Sequence, residues 1–481
     1  MSQVKIAFPY EWKAFLAVAL SLFTMVMSMN ITILALPVIA RDFAVTLREV
    51  SWVVIAFSLT VTALLLPMGR LSDLIGRKKT LVSGIGLFIV GSLICYLAES
   101  LFMLILGRVV MGIGASMGQG VGTAIVVSVF PQNERGKAIG SHTTVVAIGS
   151  AGGPVMAGVL LQFFPWQVIF LAVAVPAVLA FFWGLLILDD ARIGSFQAED
   201  TVFDWTGACL SALLMLFFVL TLNSPFPSEY NFWILLIGIP GTLILLRTFI
   251  FWELKTGSPL LDLTLFSNAV FSYASLTRFL GFISRSGGML LLPVFLLNIR
   301  GMNELTIGLL MFSGALGMGI GAQSGGRLSD IFGPRRFVIF GFFLAALNSM
   351  LMAWYHQQTP MLLIVVTLFV NGISMGLWAT PNQVITLNAT PKSKYGPVGA
   401  LINLTRNTGN VTGQAIATAV ISAVLTFQGF DIELSQVGKM EGSLEAFTLG
   451  WRAAYFVIIL LLCLSMFTAS RTRPKPNETI G

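Results

Sequence analysis

Charge is scarce in this chain. Of its 481 residues only 10% are Asp, Glu, Lys or Arg, whereas 56% are hydrophobic and the mean hydropathy is +0.88. A soluble protein of this length cannot cover its surface with so few charges, so a set of ordinary soluble domains is excluded. Cysteine is nearly absent as well. Cys95, Cys209 and Cys463 are scattered through apolar stretches, with the spacing of neither a disulfide framework nor a metal site. There is no phosphate-binding loop and no nucleophile–histidine–acid set. An ATP-driven pump and an embedded enzyme are therefore unsupported, and no cofactor or metal is expected.

Acids are missing where they would matter most. Asp42, Glu49, Asp73, Glu134, Asp204, Glu253 and Asp330 all fall near the ends of apolar runs or between them. What the chain has in abundance is the runs themselves. About 14 of them start near residues 13, 50, 80, 101, 136, 166, 206, 231, 267, 305, 337, 360, 396 and 447, each long enough to cross a bilayer. The first, from about Trp12 to Leu36, is too long for a cleaved signal peptide and reads as a retained helix.

The net charge of +7 sits mainly in the connections, and on one side. Arg70, Arg77, Lys78 and Lys79 follow the second run, Arg135 and Lys137 the fourth, Arg327, Arg335 and Arg336 the tenth, and Lys392 and Lys394 the twelfth. Arg471, Arg473 and Lys475 form the tail. About 18 of the 28 Lys and Arg face one side and about five the other. By the positive-inside rule both termini are cytoplasmic, in a multi-pass protein of a bacterial inner membrane. The same asymmetry makes a nucleic-acid partner unnecessary.

An internal repeat sets the plan. Gly69-Arg-Leu-Ser-Asp73-Leu-Ile-Gly76-Arg77-Lys-Lys79 returns 257 residues later as Gly326-Arg-Leu-Ser-Asp330-Ile-Phe-Gly333-Pro-Arg335-Arg336, each copy after the second run of its half. That offset exceeds what six runs with short loops need, and the surplus fits two additional helices. The expected fold is an all-α polytopic membrane protein of two six-helix bundles plus two inserted helices. Its parts are 1–188, a first bundle; 189–265, an acidic linker (Asp189 to Asp204) and two inserted spans; and 266–481, a second bundle with a tail. Repeated halves with the site between them are a transporter plan.

Gly69–Lys79 resembles the cytoplasmic loop signature of the major facilitator superfamily, and the layout resembles its 14-span drug:proton antiporter branch over nearly the whole chain. The resemblance implies that Gly69, Asp73, Gly76 and Arg77, with Gly326, Asp330, Gly333 and Arg335, latch the halves on the cytoplasmic side. A generic basic loop serving topology alone is the plainer alternative. In the fifth run, Gly149, Gly153, Pro154, Ala157 and Gly158 resemble the motif that exporters of the family carry, with Ala157 at an altered position. Gly149, Gly153 and Ala157 fall four residues apart, a small-residue face that admits a neighbouring helix, and Pro154 can bend its helix. Ordinary small-residue packing without directional meaning is the alternative. Gly409 and Gly413 make a weaker ladder of the same kind.

Arg108 matches an arginine implicated in proton handling in the family, although snorkelling to the interface competes with that role. The chief departure is in the first run. Family exporters carry a membrane-embedded acid nine residues before the proline that ends the helix; here Pro37 puts Ser28 at that place, with Asn30 and Thr32 beside it. In place of the acid there are cations. Arg278 and Arg285 are seven residues apart on one helix face, and Arg406 joins Asn403, Asn407 and Asn410. Arginine forks suit carboxylate or phosphate, but these could also hold backbone carbonyls. Trp378, Asn382 and Gln119 complete the substrate-binding candidates, the twelfth run also carries Asn371 and Gln383, and His142 is a candidate proton carrier or a plain polar residue.

Three functions are expected in order. The first is a proton-driven secondary exporter of a small hydrophobic or amphipathic solute. The second keeps the fold and moves anionic amphiphiles or lipids with weak or no proton coupling. The third, of another class, is a non-transporting sensor or scaffold. Oligomeric state is left open.

Overall fold

The computed structural model describes residues 9–193, 202–223, 230–302, 304–430, 437, 440 and 442–472. Residues 194–201 of the acidic linker, and Arg473 and Lys475 of the tail, lie outside them. Among the described residues fourteen helices are long and apolar enough to cross a membrane. They are α1 (Tyr10–Asp42), α2 (Leu47–Ile75), α3 (Arg77–Tyr96), α4 (Leu101–Val129), α5 (Arg135–Phe163), α6 (Val168–Ile187) and α7 (Trp205–Leu222). Then come α8 (Asn231–Lys255), α9 (Ala269–Val294), α10 (Glu304–Phe332), α11 (Pro334–Ala353), α12 (Met361–Asn388), α13 (Tyr395–Phe427) and α14 (Ser443–Ser470). Most begin within a few residues of the expected starts; α14 opens earliest relative to expectation, at Ser443.

Local chemistry sets the boundaries. A capping box opens α2, where Thr46 and Glu49 satisfy each other's backbone N–H groups. Asp204 caps α7 and Asn268 caps α9 in the same sense. The two repeat loops turn on Gly76 and Gly333, at φ +97° and +85°, a region that a residue with a Cβ enters only under strain. Where the first copy has Arg77, the second has Pro334, which begins α11 with no N–H to leave unpaired.

The two halves repeat their packing. In the first, α1 lies against α5 and α6, α4 against α2 and α3, and α3 against α6; eight helices later, α9 lies against α13 and α14, α12 against α10 and α11, and α11 against α14. The inserted helices α7 and α8 pair with each other, and α7 leans on α2. Apolar side chains of α8 such as Phe232, Ile237 and Leu254 are well exposed, as expected of a lipid-facing helix. Between the halves, α5 crosses α10 and α2 crosses α13, a symmetric pair of seams.

Candidate functional site

Helices alternate in direction, so the start of α1 and the end of α14 lie on one face, the termini face. Both seams close there. A Cβ on Gly69 of α2 would stand 2.5 Å from the Cβ of Ala400 on α13. On the other seam, Gly136 and Gly140 of α5 touch the backbones of Gly326 and Ala322 of α10. Asp330 accepts from the N–H groups of Gly136 and Lys137 at 2.8 and 3.0 Å. Arg135 donates across the halves to Asn388 at 2.9 Å. Thr144 and Thr143 continue the seam to Gly319 and Thr380, at 3.2 Å each.

The two repeat motifs therefore do different work. Arg77 faces Asp73 at 3.8 Å and donates to the carbonyl of Ile193 and the hydroxyl of Ser128 within the first half. Asp73 lies against Gly396 at the start of α13, with Oδ2 buried and unpartnered. Asp330 binds backbone across the boundary, and Arg335 donates to the carbonyl of Ser470 at the end of α14.

The small-residue face of α5 meets α1. A Cβ on Gly153 would be 2.8 Å from the Cβ of Asn30, and one on Gly149 would be 3.1 Å from the carbonyl of Phe23. Ala157 is buried, whereas Gly158 is exposed and faces no neighbour within 4 Å. The helix runs unbroken through Pro154. Gly409 and Gly413 of α13 pack on Phe282, Phe279 and Ile283 of α9 in the matching place of the second half.

Above the closed seams, toward mid-membrane, the polar candidates gather. Gln119 of α4 is the bridge: its Oε1 accepts from Arg406 at 2.9 Å and its backbone carbonyl from Asn403 at 2.9 Å, both on α13. Asn407 reaches Thr62 of α2 at 3.5 Å. His142 is buried within electrostatic reach of Arg406 and Arg278. Arg278 is buried too, its Nε 3.0 Å from the carbonyl of Ile402 and its guanidinium 5.0 Å over the ring of Phe282. That is the carbonyl-holding role foreseen as the alternative. Asn382 donates to the carbonyl of Ala274 at 3.0 Å, and its Oδ1 is buried without a partner. Trp378 stacks on Phe342 at 4.8 Å and meets Phe282 edge-on.

Arg285 differs from its neighbour. It is half-buried and lines a small cavity in the second half, between α9, α11, α12 and α14, with a volume of about 30 Å³. Asn371, Ser349, Trp378 and Tyr455 share that lining. Tyr455 and Ser349 escaped the sequence reading, because a lone tyrosine or serine in an apolar run carries no pattern.

Ser28 and Arg108 form a separate pair inside the first half. Arg108 is fully buried, which removes the snorkelling alternative. Its Nη1 donates to Ser28 Oγ at 2.9 Å, its Nε to the carbonyl of Val53 at 3.0 Å, and the guanidinium lies 4.2 Å over Phe57. Thr32 and Asn30 donate to their own helix, at the carbonyls of Ser28 and Val26. Those two are spent on the backbone.

The model of the Major Facilitator Superfamily matches residues 18–414 and, in a second match, 274–480. The riboflavin transporter RibZ of Clostridioides difficile is 28% identical over 417 residues, 87% of this chain and 90% of that protein. The multidrug resistance protein Stp of Mycobacterium tuberculosis is 27% identical over 412 residues, 85% of this chain and 76% of its own. The lincomycin resistance protein LmrB of Listeria monocytogenes is 25% identical over 433 residues, 90% of each. Among solved structures, the human organic anion transporter MFSD10 superposes with a TM-score of 0.68 at 14% identity. That superposition covers 96% of this chain and 100% of that one, which shows the shared fold.

Proposed function

The chain belongs to the major facilitator superfamily and is a membrane transporter rather than an enzyme, and on that premise we propose that it exports hydrophobic and amphipathic compounds by alternating access. One observation carries the reading. The polar cluster around Gln119 and Arg406 lies at the boundary of two halves, and the cross-half contacts described above run from the termini face only as far as that cluster. A site with its floor closed on one side and its walls formed by different halves is what rocking bundles require. Export is the direction supported by the Stp and LmrB relatives, both resistance proteins by name. The small-residue seam of α5 on α1 supports it as well.

In this reading the protein sits in a bacterial inner membrane with both termini cytoplasmic, which makes the closed face cytoplasmic and the conformer outward-facing. Protons drive the cycle. With Ser28 in place of an acid, the carriers available near the moving seams are the latch carboxylates Asp73 and Asp330 and the imidazole of His142.

Purified protein in liposomes loaded with ethidium, with a pH step imposed across the membrane, tests each part. Ethidium flux that follows the pH step and collapses with a protonophore is the expected result. Flux indifferent to the protonophore would remove the proton. No flux of ethidium or of any other lipophilic solute would leave the sensor or scaffold reading in its place.

A further inference from the structure

Three guanidinium groups gather at mid-membrane depth, and no carboxylate is near. Arg406 lies within electrostatic reach of both Arg278 and Arg285. The sequences of α4, α5, α9, α11, α12 and α13 around them contain no Asp or Glu, and the one acid of α14, Glu445, lies in its first turn. Two of the three have other duties: Arg278 holds the carbonyl of Ile402 and Arg406 holds Gln119 across the halves. Arg285 has none. Among the described residues no hydrogen bond or ion pair reaches its guanidinium, and it lies partly buried on the wall of the cavity in the second half. A strongly solvated cation set at this depth without a counter-charge is costly, and its presence there marks a function.

The cavity as it stands holds about two water-sized groups, and its polar lining offers an oxyanion more than Arg285. Beside Arg285, the amide of Asn371 also has no partner among the described residues, and the hydroxyl of Tyr455 has only the sulfur of Met352 at 3.8 Å. These are donors to an oxyanion. Ser284, Ser349 and Ser374 add hydroxyls to the lining, and Trp378, Leu292 and Leu462 are among its apolar residues. Donors set beside apolar side chains match a molecule that carries both an oxyanion and an apolar body.

We propose that Arg285, with Asn371 and Tyr455, binds the anionic head group (carboxylate, sulfonate or phosphate) of an amphiphile, and that the cavity widens along Trp378, Leu292 and Leu462 to admit its apolar body. This names a substrate class and rests on the transport reading above. The Arg285 fork can hold two oxygens at once, and the Arg278 and Arg406 charges add attraction at longer range. The same three charges repel a cation from this pocket, so a lipophilic cation has to bind elsewhere at the boundary.

Calorimetric titration in dodecyl maltoside tests it with two probes of equal chain length, octanesulfonate and octyltrimethylammonium. Octanesulfonate should bind the parent protein and lose about tenfold or more in affinity in R285Q, as expected when a hydrogen bond to a charged group is lost. R285K, which keeps the charge but loses the fork, should fall between the two. R452Q, at an exposed arginine on α14, should match the parent. If R285Q proves unstable, N371L serves instead, with a loss of a few-fold expected. Equal octanesulfonate affinity in the parent, R285Q and N371L would overturn the assignment, as would equally tight octyltrimethylammonium binding with the same dependence on Arg285.

The source of the anion is read by repeating the titration in nanodiscs of neutral phosphatidylcholine with and without phosphatidylglycerol. Competition by phosphatidylglycerol supports the site and makes lipid the ligand; no competition supports it with a soluble organic anion. Ethidium export by the same variants in liposomes separates this inference from the transport reading. Intact export with no octanesulfonate binding rejects only the anion site, and Arg285-dependent binding without any export rejects only the exporter.

Discussion

The carboxylate of Asp330 accepts the backbone N–H of Gly136 at 2.8 Å, from one half of the molecule to the first turn of a helix in the other. The N–H of Lys137 joins it at 3.0 Å. The first turn of a helix leaves its N–H groups unpaired and carries partial positive charge, so a carboxylate there is held by both hydrogen bonds and the dipole. The contact depends on the absence of a side chain at Gly136. A Cβ there would meet Asp330 Oδ1 at 2.5 Å and press on the backbone of Gly326. Asp73, the repeat partner of Asp330, faces Gly396 on the other seam. Two carboxylates thus press on two helix starts, and separating the halves on this face must break both arrangements.

G136A and G326A should therefore favour the conformer open at the termini face. The measurement is the rate at which a cysteine placed at Thr143 reacts with a membrane-impermeant maleimide added from that side. A rise of several-fold is expected in either variant, and D330N should give a smaller rise in the same direction. Unchanged labelling in all three would mean that this seam does not govern access.

Arg108 and Ser28 supply a second test, this one of stability. The serine hydroxyl accepts the Arg108 Nη1 at 2.9 Å, while Nη2 is already buried without a partner. S28A removes the acceptor and should cost about 1.5–3 kcal/mol, the usual worth of a hydrogen bond to a charged group. The thermal midpoint in detergent should fall accordingly, and S28D should recover most of it by returning an acceptor with charge. A midpoint unmoved in S28A would show that Arg108 is held by Val53 and Phe57 alone.

Gln119 and Arg406 offer a kinetic test, because their bond crosses the halves at 2.9 Å. Q119E replaces a neutral acceptor with a carboxylate and should strengthen the bond by about 1–2 kcal/mol. The closed floor would then be harder to open. Turnover of ethidium export is expected to fall about tenfold while the protein stays folded. Faster turnover in Q119E would reverse the role given to this pair.

How much of this could be read in the chain is instructive at particular residues. The fourteen spans and the doubled motif were legible because bilayer thickness imposes a length on every helix and duplication leaves the same letters behind. The α5 face was legible because Gly149, Gly153 and Ala157 recur at the helical repeat. The direction that each charged side chain takes was not. Arg278 and Arg285 share a helix face, yet one is spent on a backbone carbonyl and the other opens into a cavity. That difference comes from where α13 and α12 pass, which no local pattern records. The bridge from Gln119 to α13 joins residues 287 apart and was visible only as a polar residue in an apolar run.

The last prediction concerns pH, at Asp262 in the connection between α8 and α9. Partial burial works to raise its carboxyl, but hydrogen bonds from Lys394 and Thr264 prevail and hold it below its ordinary value. A carboxyl depressed in the folded state binds protons more weakly than in the unfolded chain. Its contribution is therefore complete above the unfolded pKa, near 4, and is lost as pH falls through the folded value. Both partners are partly exposed, so the contribution should be no more than about 1 kcal/mol. D262N should thus lower the thermal midpoint slightly at pH 7, and the gap from the parent should close as the pH is brought toward 3. A gap that is constant from pH 7 to 3 would mean that the loss comes from the Thr264 turn and not from the charge of Asp262.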